Sequence, residues 1–118
     1  MSDQTTNDDL TDVRAVHDRL AQIQLVDCRE LYEWEAGRVE GAIYLPLNSI
    51  MAGAGSDLDL DHDTPVAVIC RTGNRSELAT MMLQARGFEA YNVAGGMEAW
   101  AAEGLPFSAG DGSPGRVA

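Results

Sequence analysis

The chain has 118 residues, is 45% hydrophobic and carries a formal net charge of −11. That length suits one domain with its own core, and the hydrophobic share excludes a disordered chain. The acidity excludes a nucleic-acid groove or an anionic membrane contact, and no apolar run approaches the ~20 residues of a membrane span.

All eight basic residues are arginine. Two readings fit this bias: a GC-rich genome, or adaptation to high salt through a dense acidic surface. The first nine residues, Met1 to Asp9, are polar and acidic, with no basic n-region and no apolar h-region. No signal peptide is expected, and the cytoplasm is the expected location. In that compartment the two cysteines, Cys28 and Cys70, are expected to be reduced and chemical rather than a structural bridge.

In chain order, residues 1–7 are expected to be disordered, 8–107 to form the domain and 108–118, rich in Gly, Ser and Pro, to be a flexible tail. Thr11 is a candidate N-cap for an amphipathic helix over 12–20, with Val13, Val16 and Leu20 on one stripe and His17 at its boundary. Ile23 to Cys28 reads as a strand. A short helix over 30–36 follows, stopped by Gly37. Ala42 to Leu45 is a short strand closed by Pro46, and one helical turn is expected over Asn48 to Met51. Residues 52–64 read as a polar loop. Its alternating Asp57, Asp59, Asp61 and Asp63 do not meet the glycine and terminal glutamate positions of a calcium loop.

Pro65 opens the central strand, 66–69. The next helix is expected to start near Arg75 and run to Arg86, with Leu78, Ala79, Met82 and Leu83 facing inward and Gly87 just past its end. Glu89 to Val93 is a further strand, Gly95-Gly96 a turn, and 97–103 a last short helix carrying Trp100, which reads as core. Short apolar strands alternating with helices imply an α/β fold: parallel βαβ units, a central sheet and helices on both faces. Such sheets carry their chemistry beyond the carboxyl ends of the strands, where Cys28 and Cys70 fall.

The most informative stretch is Val66-Ala67-Val68-Ile69-Cys70-Arg71-Thr72-Gly73-Asn74-Arg75-Ser76. A buried strand runs into a cysteine, then a tight loop, then a helix N-terminus. Backbone N–H groups, the helix dipole, Arg71 and Arg75 all favour thiolate over thiol, so Cys70 is the candidate nucleophile. Gly73 lets the loop curl, and Thr72 or Ser76 is a candidate hydroxyl donor.

Four separated segments together resemble the rhodanese domain over about residues 8–107. They are Val26-Asp27-Cys28-Arg29-Glu30; Glu33-Trp34-Glu35-Ala36-Gly37-Arg38-Val39-Glu40-Gly41-Ala42-Ile43-Tyr44-Leu45-Pro46; the Cys70 loop; and Val93-Ala94-Gly95-Gly96-Met97-Glu98-Ala99-Trp100. Arg38 stands where the family commonly has His, and Cys28 where it usually has an aliphatic residue. The resemblance implies a central parallel five-stranded sheet with helices on both faces. It also implies sulfurtransferase chemistry, in which Cys70 takes a sulfane sulfur from a donor such as thiosulfate and passes it from a persulfide to cyanide or a thiol.

Under this resemblance the loop Arg71, Thr72, Gly73, Asn74, Arg75 and Ser76 holds the persulfide. Arg75 closes the ring, and Arg71 faces an anionic donor. Asp27 and Arg29 form a supporting framework pair. Cys70 to Arg75 spans six residues, one fewer than the Cys-x5-Arg loop of cysteine phosphatases, which ranks a phosphatase or arsenate reductase well below a sulfurtransferase. The alternative from another class is a non-catalytic, regulatory or dedicated persulfide-carrier module with a protein partner. No cofactor or metal is expected. Cys28 is either a small apolar filler or a resolving thiol for Cys70, which requires Cα atoms within about 7 Å.

Overall fold

The structure, a computed structural model, describes residues 7–53 and 60–118. The expectations for residues 1–6 and for the stretch with Asp57 and Asp59 lie outside the described residues. Among the described residues there are four strands: β1 (Gln24–Asp27), β2 (Ile43–Tyr44), β3 (Val66–Ile69) and β4 (Ala90–Asn92). They form one parallel sheet in the order β2-β1-β3-β4. Five helices accompany them: α1 (Val13–Asp18), α2 (Leu31–Ala36), α3 (Leu47–Met51), α4 (Asn74–Ala85) and α5 (Gly96–Ala102).

The expected five-stranded sheet is therefore corrected to four. The chain supplies only four apolar runs of strand type. Ahead of α1, Asp8–Thr11 makes a 3-10 turn that buries Leu10, and its Thr11 carbonyl accepts the Ala94 N–H just past β4. The first helix is also shorter than expected. Asp12, not Thr11, caps it by accepting the Ala15 N–H at 3.1 Å, and Leu20 begins a separate 3-10 turn.

Period-two alternation sorts the strand side chains onto two faces. Leu25, Ala67 and Ile69 face α1 and α5, packing with Val13, Val16, Met97 and Trp100. Val26, Cys28, Val66, Val68 and Cys70 face the other way, onto Ile50 of α3 and Ala79 and Leu83 of α4. Trp100 is core as expected, with its indole N–H donated to the Pro106 carbonyl at 3.0 Å.

Helix α4 closes as its sequence predicts. Gly87 has φ of +93°, and the Phe88 N–H reaches the Leu83 carbonyl at 3.1 Å, a left-handed cap that glycine adopts without strain. Its inward stripe is Ser76, Ala79, Thr80 and Leu83. Leu78, expected inward, is 44% exposed, because successive residues turn by about 100° and Ala79 already faces the sheet. Gly37 ends α2 for a different reason than a left-handed cap. Its backbone is extended, and a Cβ there would meet the Arg116 carbonyl oxygen at 2.5 Å.

That close approach is made by the segment over 108–118. The segment folds back along α2: Ser108 bridges Arg38 and Pro114, Gly110 donates to the Glu35 carbonyl and Arg116 to the Ala36 carbonyl, both at 3.0 Å. The glycines that suggested flexibility supply the turns and close passages this path needs. Among the described residues no helix is long and apolar enough to cross a membrane.

Candidate active site

Strand order reverses between β1 and β3: the chain moves outward to β2 from the one and to β4 from the other. A crevice forms beyond the carboxyl ends of two such strands. Cys28 follows β1 and Cys70 follows β3, and each is only 1% exposed.

The loop after Cys70 wraps its sulfur. Gly73 sits at φ of +108° as the residue before α4, a left-handed conformation that a side chain resists. This turn aims the Gly73 N–H at Cys70 Sγ (3.1 Å) and the Ser76 N–H at the same atom (3.4 Å). Ser76 also places its hydroxyl 3.2 Å from the sulfur. Thr72 is exposed, so Ser76 fills the hydroxyl role proposed for either residue. Asn74 opens α4 and is exposed.

Two further elements fix the loop. Asn92, the last residue of β4, accepts the Ser76 hydroxyl and donates its amide to the Gly73 carbonyl at 3.0 Å. On the other side α5 turns its free N-terminal N–H groups on the loop: Met97 donates to the Cys70 carbonyl at 2.8 Å and Glu98 to the Arg71 carbonyl at 3.0 Å. Gly96 makes this approach possible. At φ of +55°, it would drive a Cβ into the Cys70 and Arg71 carbonyl oxygens.

The Cys70 thiol is held well below the ordinary thiol range. The largest cause is the neighbouring Cys28 thiol; the Ser76 hydroxyl and the Ser76 and Gly73 N–H groups add to this, against the opposing effect of burial. The Cys28 thiol is pushed up, by the neighbouring Cys70 and by burial. Cys70 is the more acidic of the two neighbouring thiols.

The arginines do less for the sulfur than their sequence positions promise. Arg75 makes a two-pronged ion pair with Glu33, at 2.6 and 2.8 Å. Glu33 is buried, also accepts the Glu30 N–H at 3.0 Å, and has its carboxyl held below the usual range, chiefly by Arg75. The pair ties the start of α4 to the first turn of α2, so Arg75 closes a framework around the loop. Arg71 points outward to Glu98 at 3.1 Å, with both side chains half exposed.

Asp27 and Arg29 are fully buried together. Arg29 Nε and Nη2 reach the Asp27 carboxylate at 2.8 to 3.1 Å, and Nη2 also donates to the Gly37 carbonyl at 2.6 Å. The pair braces the β1–α2 loop, and its hydrogen bonds go to each other and to the Gly37 carbonyl rather than to the Cys70 sulfur. Among the described residues no group of three His, Cys, Asp or Glu side chains gathers as a metal site.

Sequence reasoning missed Glu33 and Asn92. The signals were a polar residue at the last position of β4, and an acidic residue three after Glu30 at a helix start. Neither names its partner, which lies on another element.

Comparison with known proteins places this geometry among relatives. The sequence matches the family described as "Rhodanese-like domain" over residues 6–103. It is 30% identical over 79 residues to a putative sulfur carrier protein, YrkF, of Bacillus subtilis, covering 66% of this chain and 41% of that protein. It is 33% identical over 86 residues to a probable adenylyltransferase/sulfurtransferase, MoeZ, of Mycobacterium tuberculosis, covering 72% of this chain and 22% of that protein. The chain thus spans well under half the length of both curated relatives. Among solved structures, a rhodanese-related protein of Thermoplasma volcanium superposes with a TM-score of 0.74 at 28% identity, covering 82% of this chain and 94% of the other. A rhodanese-like domain protein of Staphylococcus aureus gives a TM-score of 0.69 at 30% identity, covering 80% and 93%.

Proposed function

The chain belongs to the rhodanese-like family, and on that premise we propose that it moves sulfane sulfur through a persulfide on Cys70. The observation that carries this reading is the sulfur's setting: Cys70 Sγ accepts the Gly73 and Ser76 N–H groups from a loop locked on both sides. A thiolate is the attacking species in sulfur exchange, and the loop stabilises it. N–H groups of the same loop suit the negative outer sulfur of a persulfide. The names of the two curated relatives, a sulfur carrier and a sulfurtransferase, support the same chemistry.

In the first step Cys70 thiolate attacks the sulfane sulfur of the donor. The S–S bond to that sulfur breaks, and the donor leaves with the electron pair, as sulfite if the donor is thiosulfate. In the second step an acceptor nucleophile takes the outer sulfur, and Cys70 departs as the thiolate. Every sulfur is balanced, and no cofactor is needed.

One observation favours delivery by a persulfide-bearing protein or small persulfide over free thiosulfate. Both loop arginines are engaged by carboxylates, Arg75 by Glu33 and Arg71 by Glu98, and the chain as a whole is strongly acidic. A dianion meets little unneutralised positive charge at this mouth.

The test is intact-mass measurement after incubation with thiosulfate and, separately, with a low-molecular-weight persulfide. The expected result is one added sulfur on wild type, mapped to Cys70, discharged by cyanide as thiocyanate, and absent from Cys70→Ser. Faster loading by the persulfide supports the carrier role, and equal or faster loading by thiosulfate supports the thiosulfate sulfurtransferase. Failure of both donors to label wild type overturns the reading.

A further inference from the structure

Cys28 and Cys70 are cross-strand neighbours. The β1–β3 register pairs Asp27 with Ile69, and the Cys28 N–H donates to the Ile69 carbonyl at 3.1 Å, so Cys28 and Cys70 are the next pair along. Both side chains lie on the α4 face of the sheet, packed in one cluster with Val26, Val68, Ala79 and Leu83. Neighbouring strands run about 4.8 Å apart, inside the Cα separation of about 4.4–6.8 Å that a disulfide accepts. Both thiols are free and buried.

The two sides of Cys70 Sγ therefore carry different chemistry. Loop N–H groups meet it on one side, and a second thiol meets it from the neighbouring strand. Cys28 and Cys70 are each 1% exposed, so the two thiols share one enclosed setting. A family member with an aliphatic side chain at this position lacks the second thiol altogether.

We propose that Cys28 is a second reactive thiol of the site, which resolves sulfur-loaded Cys70 into a Cys28–Cys70 disulfide and expels the carried sulfur as hydrogen sulfide. This rests on the persulfide reading above. The Cys28 proton passes to the anionic outer sulfur, and the Cys28 thiolate so formed attacks Cys70 Sγ. The new S–S bond forms as the bond from Cys70 Sγ to the outer sulfur breaks, and the outer sulfur leaves with that electron pair as hydrosulfide. The sulfane sulfur is reduced to sulfide, and the two cysteines are oxidised to the disulfide, so no outside oxidant enters. A dithiol reductant reopens the bridge by thiol–disulfide exchange and restores both thiols. The activity this adds is dithiol-dependent reduction of sulfane sulfur to sulfide, used when no acceptor reaches the loaded site.

The test loads the full chain with a low-molecular-weight persulfide, removes the donor by desalting, and follows intact mass and free sulfide without acceptor. In wild type the persulfide mass is expected to give way to a species two hydrogens lighter than the free protein, with one sulfide released and the original mass regained on adding dithiothreitol. In Cys28→Ser and Cys28→Val the lighter species is lost and the sulfur stays on Cys70. Two variants are used because the position is buried and either replacement can disturb packing. Equal persulfide lifetimes in wild type and both variants overturn the proposal, as does decay without the lighter species. A second arm treats unloaded wild type with diamide, a thiol-oxidising azo compound, and maps the bridge by peptide mass. If wild type takes up no sulfur, the sulfurtransferase reading fails, and this arm alone decides whether the two thiols react. Absence of an intramolecular Cys28–Cys70 bridge after diamide overturns the proposal in every case.

Discussion

Ser76→Ala removes one hydroxyl from the Cys70 site and leaves the Ser76 N–H in place. That hydroxyl lies 3.2 Å from Cys70 Sγ and also bonds Asn92 Oδ1. It has one proton for two acceptors. With Cys70 as a thiol, the serine gives its proton to Asn92 and accepts from the sulfur. With Cys70 as a thiolate, the serine turns its proton to the sulfur and Asn92 loses it. A hydrogen bond to a charged group contributes about 1.5–3 kcal/mol, and one pKa unit corresponds to about 1.4 kcal/mol, so loss of the whole bond raises the Cys70 pKa by about one to two units. Competition from Asn92 places the expected shift at the lower end, about one unit. The assay is the rate of Cys70 alkylation by iodoacetamide against pH, mapped by peptide mass so that Cys28 is counted separately. An inflection that stays in place or moves down in Ser76→Ala refutes the account of the hydroxyl as a thiolate donor.

Three further outcomes follow from the framework around the site. Asp27→Asn leaves the buried Arg29 charge without its carboxylate, and breaking such a pair costs about 3–5 kcal/mol; urea unfolding checks this, and a change below about 1 kcal/mol contradicts it. Glu33→Gln weakens the tie between α2 and α4 by about 1.5 kcal/mol, the lower end for a charged hydrogen bond because Arg75 is a third exposed. Because the folded Glu33 pKa is depressed, its contribution is full above the unfolded carboxylate value of about 4.3 and is lost as pH falls through the folded value. The stability gap between wild type and Glu33→Gln should therefore close in acid, and a gap that widens there refutes the pairing. Gly96→Ala forces α5 away from the Cys70 and Arg71 carbonyls and adds left-handed strain of about 1–3 kcal/mol. Melting temperature and sulfur uptake should both fall, and wild-type values for both would show that the loop does not depend on this contact.

The sequence by itself determined the parts of this protein that depend on neighbours along the chain. Alternating short strands and helices placed a parallel sheet. Gly87 marked the end of α4, and the run from Val66 to Ser76 announced a nucleophile held between a strand end and a helix start. Only the tertiary structure decided what surrounds that nucleophile. Arg75 is 42 residues from Glu33, and Ser76 is 16 from Asn92, so no local pattern could name these partners. The segment after residue 107 read as flexible because the local freedom of its glycines is visible, and the Arg38, Glu35 and Ala36 backbone groups that Ser108, Gly110 and Arg116 meet are not. The role of Cys28 turns on strand register: one position along β1 sets its side chain on the α4 face beside Cys70, and a slip of one residue would turn it to the opposite face. A second cysteine in the sequence was a choice between packing and chemistry, and the pairing of β1 with β3 is what sets its thiol against the nucleophile.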